Sequence, residues 1–429
     1  MAKLRVAWRT LGCRVNQYDT ELMKEQLDGA FEIVPDGGEA DIYIINTCTV
    51  TARAEAKARQ YIRGLARRGP ILVTGCWATV APEEVRRIEG VRLVFPNSAK
   101  FEVGELIQRV LSGGEGVARA APDGTSLDEE QIGQDLAHTR AFVKIQDGCD
   151  RFCTFCQTVL ARGRSRSKSP QAVLAEVSRL VENGFAEVVL TGIDLAAYGG
   201  DNGASLAELL WRLAEIPTLK RLRLSSINPR GVTPELLEFF GKSPKGCPYF
   251  HLPLQSGDDL ILQRMNRGYT AAEFRERVAL IGEMVPQATW GADILVGFPG
   301  ETEEQFSRTC QLIEELIPLR LHIFRYSRRP QTAAARFPDQ LPERVKLERA
   351  QRLRRLGEEL SLRVRQRYIC RHLEVLVEER GADGLWRGWS ENYIEVRILP
   401  SRSRELQAGE ILPVRIRRGT EDYLLGEVD

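Results

Sequence analysis

Three cysteines, Cys149, Cys153 and Cys156, fall within eight residues in the stretch Gly148-Cys-Asp-Arg-Phe-Cys-Thr-Phe-Cys. Thiols this close on one loop can aim at a single centre, and thiolate is the usual protein ligand of iron–sulfur clusters. A cubane has four irons, so three sulfurs leave one iron open to a substrate or cofactor, as the open position does in a catalytic zinc site. Structural zinc would normally take a fourth Cys or His, and the nearest histidine in sequence, His138, lies upstream. Three unrelated core cysteines are the competing reading.

The elements around these residues alternate between strand and helix. Residues 3–9 alternate like a strand and lead into a helix from about Asp19. Residues 41–46 form a second apolar strand, followed by a helix through about Arg68, and residues 70–75 a third, with a helix after Pro82. This alternation predicts a parallel α/β sheet. Cys13, Cys48 and Cys76 each follow the carboxyl end of one of those strands, the edge where open α/β sheets place binding sites. The pattern predicts a second three-cysteine site, with buried free cysteines as the alternative.

Residues 112–134 are rich in Gly, Ala, Asp and Glu without apolar periodicity and read as a linker. Strand patterns then recur at 141–145, 186–191, 221–226, 249–253, 290–296 and 320–326, with helical patterns at 170–183, 205–216, 234–240 and 302–316. Six such units suit a barrel or partial (β/α)6 barrel with its site at the carboxyl ends of the strands. Thr191, Gly192, Ser226 and Gln255 sit at those ends and, with Asp293, are candidate cofactor contacts. Asp293 lies inside an apolar strand, where an unpaired carboxylate is costly; it points to a partner in the barrel or fills a satisfied structural role. Residues 342–369 read as a long basic helix. Short alternating segments at 373–378, 393–399 and 411–417 then predict a small β-barrel.

At 429 residues the chain has room for two or three domains. The boundaries fall at 1–112, a linker at 113–134, a core at 135–366 and a terminal barrel at 367–429. No long uncharged apolar run or signal-peptide pattern is present, so a cytoplasmic protein without a membrane partner is expected. Nine cysteines in that compartment are better read as metal ligands than as disulfides; Cys247, Cys310 and Cys370 fit neither trio and read as structural. The net charge of +1 hides two basic islands, 14 basic against 5 acidic residues over 320–370 and six against one over 52–69. These either attract phosphate or are solvated helix faces.

The Cys-x3-Cys-x2-Cys spacing resembles the radical SAM superfamily. That resemblance implies a 4Fe-4S cluster whose open iron chelates S-adenosylmethionine, which reduction cleaves to a 5′-deoxyadenosyl radical. The whole chain resembles one family within it, the methylthiotransferases: an α/β domain with an auxiliary 4Fe-4S cluster, a radical SAM core, and a C-terminal TRAM domain. Cys13, Cys48 and Cys76 match the auxiliary ligands, and Cys149, Cys153 and Cys156 the S-adenosylmethionine-cluster ligands. The run Thr10-Leu-Gly-Cys-Arg-Val-Asn-Gln-Tyr-Asp-Thr-Glu looks like the branch that acts on threonylcarbamoyladenosine in tRNA. The isopentenyladenosine branch typically reads Gly-Cys-Gln-Met-Asn there and the ribosomal-protein branch Gly-Cys-Pro-Lys-Asn. His251-Leu-Pro-Leu-Gln-Ser-Gly, Gly297-Phe-Pro-Gly-Glu-Thr and Ser390-Glu-Asn-Tyr are further family-like stretches, whereas Gln157-Thr-Val-Leu replaces the usual Ile-Ile-Pro-Tyr.

The resemblance implies insertion of sulfur and then a methyl group at carbon 2 of that adenosine. Its partners would be the tRNA and a low-potential electron donor such as a flavodoxin or ferredoxin; oligomeric state is left open. The terminal domain carries nine basic and twelve acidic residues, a poor clamp for RNA, so Arg162, Arg164, Arg166 and Lys168 are expected to supply phosphate contacts. Trp386, Trp389 and Tyr393 either stack on bases or form core. The rival readings are the same chemistry on isopentenyladenosine or a ribosomal protein, and an RNA-binding protein with structural clusters.

Overall fold

The computed structural model describes residues 3–27, 29–119, 126–135, 138–400 and 405–428. The N-terminal strands are β1 (Leu4–Thr10), β2 (Phe31–Val34), β3 (Ile42–Thr47), β4 (Ile71–Gly75), β5 (Val91–Val94) and β6 (Gly116–Val117). They form one sheet in the order β2-β1-β3-β4-β5-β6, every pairing parallel. Its helices are α1 (Arg14–Glu25), α2 (Ala52–Leu65), α3 (Cys76–Val80), α4 (Pro82–Arg86) and α5 (Val103–Leu111). Strands β3 and β4 are buried along their whole length, as a parallel sheet covered on both faces requires, and each reads as an apolar run that turns polar only at its carboxyl end.

Two expectations change here. Helix α1 starts at Arg14, directly after Cys13, rather than near Asp19. The reason is packing: Tyr18 and Leu22, four residues apart on one face, join the core of the second unit. The stretch read as a linker is also partly structured. Strand β6 extends the N-terminal sheet, and Glu130 and Ile132 are buried; residues 120–125 lie outside the described set.

The second unit contains β7 (Ala141–Lys144), β8 (Gln146–Asp147), β9 (Arg166–Ser167), β10 (Glu187–Thr191), β11 (Arg221–Leu224), β12 (Tyr249–Gln255), β13 (Thr289–Val296) and β14 (Arg320–Arg325). Two parallel sheets, β11-β10-β7 and β12-β13-β14, meet through bridges Leu222–Gly246 and Ser226–His251. The result is a six-stranded partial barrel whose open seam lies between β7 and β14. Its helices are α6 (Thr158–Arg162), α7 (Pro170–Glu182), α8 (Leu206–Ala214), α9 (Pro234–Lys242), α10 (Asp259–Arg264), α11 (Ala271–Met284), α12 (Glu303–Leu316) and α13 (Glu343–Gln366). Local chemistry sets their starts: Ser169 caps α7 ahead of Pro170, and Thr270 with Glu273 and Thr302 with Gln305 form capping boxes on α11 and α12.

The C-terminal unit is a closed five-stranded barrel, β15 (His372–Arg380), β16 (Trp386–Ser390), β17 (Glu395–Ile398), β18 (Ile411–Gly419) and β19 (Leu424–Glu427). It plugs the end of the large barrel where the strands begin. Arg221 at the start of β11 donates to the Glu374 carbonyl at 2.6 Å, and Arg223 to the carbonyls of Glu391 and Ser390 at 3.0 and 3.2 Å. The carboxyl ends of the strands, where the Cys149 loop lies, are at the opposite end. Among the described residues no helix is long and apolar enough to cross a membrane.

Candidate metal centres

Strands β1, β3 and β4 are neighbours in the sheet; Cys48 and Cys76 are the next residues after β3 and β4, and Cys13 follows β1 after Leu11 and Gly12. Asn16, one turn into α1, ties the three loops together. Its Nδ2 donates to Asn46 Oδ1 at 2.9 Å and to the Thr47 carbonyl at 3.0 Å. Its Oδ1 accepts from the Cys13 and Cys76 thiols at 3.6 and 3.8 Å. Gly75 makes the turn into Cys76: its φ is +95°, and a Cβ there would lie 2.4 Å from both backbone N and O of Thr47. Burial pushes the Cys48 thiol up to about 12, and the Cys76 and Cys13 sulfurs add to the shift. Burial pushes the Cys76 thiol up as well, and thiolates held up in this way are what a bound cationic metal centre relieves.

The second trio lies on the loop between β8 and α6. Gly148 has φ +73°, and a Cβ there would sit 1.9 Å from the Arg164 carbonyl oxygen. Phe152 also takes a left-handed φ of 49°, stabilised by Asn266, which donates to the carbonyls of Arg151 and Phe152 at 3.0 and 3.2 Å. Thr154 is held by the Met265 carbonyl and in turn accepts from Ala334 N. Each sulfur receives a donor: Arg151 N to Cys149 at 3.4 Å, Arg267 Nη1 to Cys153 at 3.2 Å and Thr158 N to Cys156 at 3.4 Å. Such donors stabilise cluster sulfurs and tune their potential. Among the described residues the sulfurs of neither trio converge within 4.8 Å of one another, a spread that suits a multi-iron cluster better than a single ion.

The two centres touch through α6. Arg162, six residues after Cys156, donates from Nη2 to Asn16 Oδ1 and Asp19 Oδ2, both at 2.9 Å, and from Nη1 to both Asp147 oxygens at 3.1 Å. Asn97 donates to the Ala161 carbonyl at 3.0 Å and approaches Cys76 Sγ at 3.9 Å. Around Arg162, the clustered carboxylates of Asp19, Glu130 and Asp147 face the buried cations Lys100, Lys144 and Arg162. Three charges of each sign balance, so this group is an interdomain ion network.

That network corrects one expectation. Arg162 is buried, and Lys168 is fully buried against Glu176 at 2.6 Å and Tyr18, so neither offers a charge to RNA phosphate. Arg164 and Arg166 are exposed, the former paired with Asp150 at 3.0 Å. Thr191, Gly192, Ser226 and Gln255 lie at or just past the carboxyl ends of β10, β11 and β12, and Gln255 takes φ 71° where the β12–β13 register shifts. Asp293 lies deeper. It accepts from His251 Nε2 at 2.8 Å and lies 3.2 Å from His322 Nδ1; burial pushes its carboxyl up, but the two histidines outweigh that and hold it well below the usual range. Tyr393 is core, with its ring stacked on Trp389 at 4.6 Å and 4.7 Å from Tyr249. Asn16, the ion network and the identity of Asp293's partners, His251 and His322, escaped the sequence reading. The only signals for them were polar residues at positions that turn out to be buried.

A six-stranded partial barrel carrying a three-thiol loop after its first strands defines a radical SAM enzyme, and the Radical SAM superfamily matches residues 143–313. Residues 5–96 match Uncharacterized protein family UPF0004. The threonylcarbamoyladenosine tRNA methylthiotransferase MtaB of Thermotoga maritima is 37% identical over 420 residues, 97% of this chain and 95% of that protein. The protein of the same name from Bacillus subtilis is 36% identical, with 98% and 96% covered. The tRNA-2-methylthio-N(6)-dimethylallyladenosine synthase of Pelotomaculum thermopropionicum is 35% identical, with 99% and 97% covered. The chain belongs to the methylthiotransferase family of radical SAM enzymes. Among solved structures, the radical S-adenosylmethionine methyltransferase TsrM from Kitasatospora setae shares the fold, with a TM-score of 0.58 at 16% identity over 78% of this chain and 77% of that one.

Proposed function

We propose that this enzyme inserts sulfur and then a methyl group at carbon 2 of the threonylcarbamoyl-modified adenosine beside the tRNA anticodon. The observation that carries this reading is the pair of three-thiol sites joined through Arg162 and Asn16, in a chain alike over nearly its whole length to proteins named for that reaction. Both trios fit a 4Fe-4S cluster, and S-adenosylmethionine bound at the open corner of the Cys149 site supplies the radical chemistry an unreactive ring carbon needs.

The chain's own residues position and insulate these groups. Arg267 and the backbone N–H groups of Arg151 and Thr158 hold charge on the second trio. Arg162 does so on the first, where its charge and hydrogen bond draw the buried Cys76 toward the thiolate against the effect of burial. Thr191, Gly192, Ser226 and Gln255 lie at the carboxyl ends of the strands, the rim that also carries the second trio, which supports contacts with a cofactor bound there. Arg164 and Arg166, together with exposed Arg354, Arg355, Arg363 and Arg367 on and after α13, supply cation for RNA. A low-potential flavodoxin or ferredoxin as electron donor and a cytoplasmic location complete the reading.

The test is nucleoside mass spectrometry on tRNA from cells with and without the gene. Loss of the methylthio form, with its unthiolated precursor accumulating, supports the assignment. Loss instead of the methylthio form of the dimethylallyl nucleoside moves the substrate to that of the Pelotomaculum relative.

A further inference from the structure

We propose that Arg14 and Arg320 form a carboxylate subsite at the open seam of the barrel, which selects a substrate adenosine bearing an acidic N6 substituent. The inference rests on the functional reading above and adds to it the residues that read the substituent.

The barrel sheet is open between β7 and β14, and α1 of the N-terminal domain packs against β7. Arg14, the residue after Cys13, approaches from that side. Its guanidinium lies 5.8 Å from the Phe142 ring on β7 and donates to Tyr393 Oη at 2.7 Å. Arg320, on β14, lies 5.3 Å from the same Tyr393 ring. Four arginines surround Tyr393: Arg14, Arg140, Arg223 and Arg320. Arg140 is paired with Glu378 at 2.8 Å, and Arg223 with Glu187 at 2.7 Å. Among the described residues Arg14 and Arg320 have no carboxylate within ion-pair distance, although both are half-buried. The nearby acid Asp293 is taken by His251 and His322.

Two half-buried guanidiniums that no carboxylate of the described residues neutralises can take one from a ligand. Arg14 directly follows Cys13 of the first trio, so an anion bound by it lies close to that site. The threonylcarbamoyl group ends in a carboxylate; a dimethylallyl group has no charge. The planar fork of each arginine suits a carboxylate, and the Tyr393 hydroxyl adds a polar group to the floor. A backbone phosphate has the same charge, so the experiment must separate the two sources.

The test uses full-length reconstituted Arg14→Gln and Arg320→Gln enzymes and tRNA carrying either threonylcarbamoyladenosine or its carboxylate methyl ester. Wild type should show a KM for the ester on the order of ten- to hundredfold above that for the acid. Each variant should raise the KM for the acid by a similar factor and abolish the preference, with little change in kcat or in the iron and electron-paramagnetic signals of the clusters. Arg320→Gln lies away from the cysteines, so it decides the matter if Arg14→Gln loses a cluster. Equal weakening toward acid and ester would assign the arginines to phosphate and overturn the proposal, as would an unchanged preference. If wild type methylthiolates neither RNA, the functional reading itself fails.

Discussion

Arg162 donates to Asn16 Oδ1 over 2.9 Å, so a side chain following the second cysteine trio holds the amide that accepts from two thiols of the first. The same guanidinium neutralises buried Asp19 and Asp147. Removing one partner of such a network strands the other charges in low dielectric, at a cost of about 3–5 kcal/mol. Urea unfolding of the metal-free protein at neutral pH should show Arg162→Gln destabilised by that order. Arg162→Lys should recover only part, because an ammonium cannot make the forked contact. A loss under about 1 kcal/mol, the range of a surface pair, would contradict a structural role for this link.

Gly148 is predicted to be irreplaceable in the second metal loop. Alanine there meets both the left-handed φ, a penalty of roughly 1–2 kcal/mol, and the Arg164 carbonyl 1.9 Å from its Cβ. Gly184 offers the control, since it has φ +97° but nothing within 4 Å of an added Cβ. Gly148→Ala should purify and reconstitute with about half the iron of wild type, whereas Gly184→Ala should keep full iron. Equal iron in both variants would show that the loop adapts.

Tyr393 should titrate unusually early. Burial pushes its hydroxyl up, but Arg14 and Arg140 beside it outweigh that and bring it down to about 8, against about 10 in an unfolded chain. The folded state therefore favours the phenolate. Its contribution to stability is fully present above pH 10 and is lost as pH falls through about 8, so unfolding free energy should rise across that window. Ultraviolet absorbance should report one phenolate forming near pH 8 in the native protein and absent in Tyr393→Phe. A first phenolate only near pH 10 would contradict this electrostatic picture.

The placing of the two cysteine trios, one on a single loop and one at neighbouring strand ends, was legible because short spacing and strand-end position are local features. Partners that meet only after folding were not. Arg14 and Tyr393 are 379 residues apart, and the His251–Asp293–His322 group depends on the register of three barrel strands. Arg162 and Lys168 were misread for a related reason. In a basic run a buried, neutralised cation looks the same as a solvated one, and the anions Asp19 and Glu176 that bury them come from other elements. The early start of α1 was hidden because its apolar face packs on another domain. The docking of the terminal barrel at the strand-start end of the large barrel had no sequence signature.

The most direct test of the two-site account is the Cys13→Ala, Cys48→Ala, Cys76→Ala triple variant, reconstituted with iron and sulfide and supplied with S-adenosylmethionine, reductant and threonylcarbamoyladenosine tRNA. It should still cleave S-adenosylmethionine reductively to 5′-deoxyadenosine at the Cys149 site, but form no methylthio nucleoside. Methylthiolation at the wild-type rate would contradict the account, because the first trio would then have no part in the reaction.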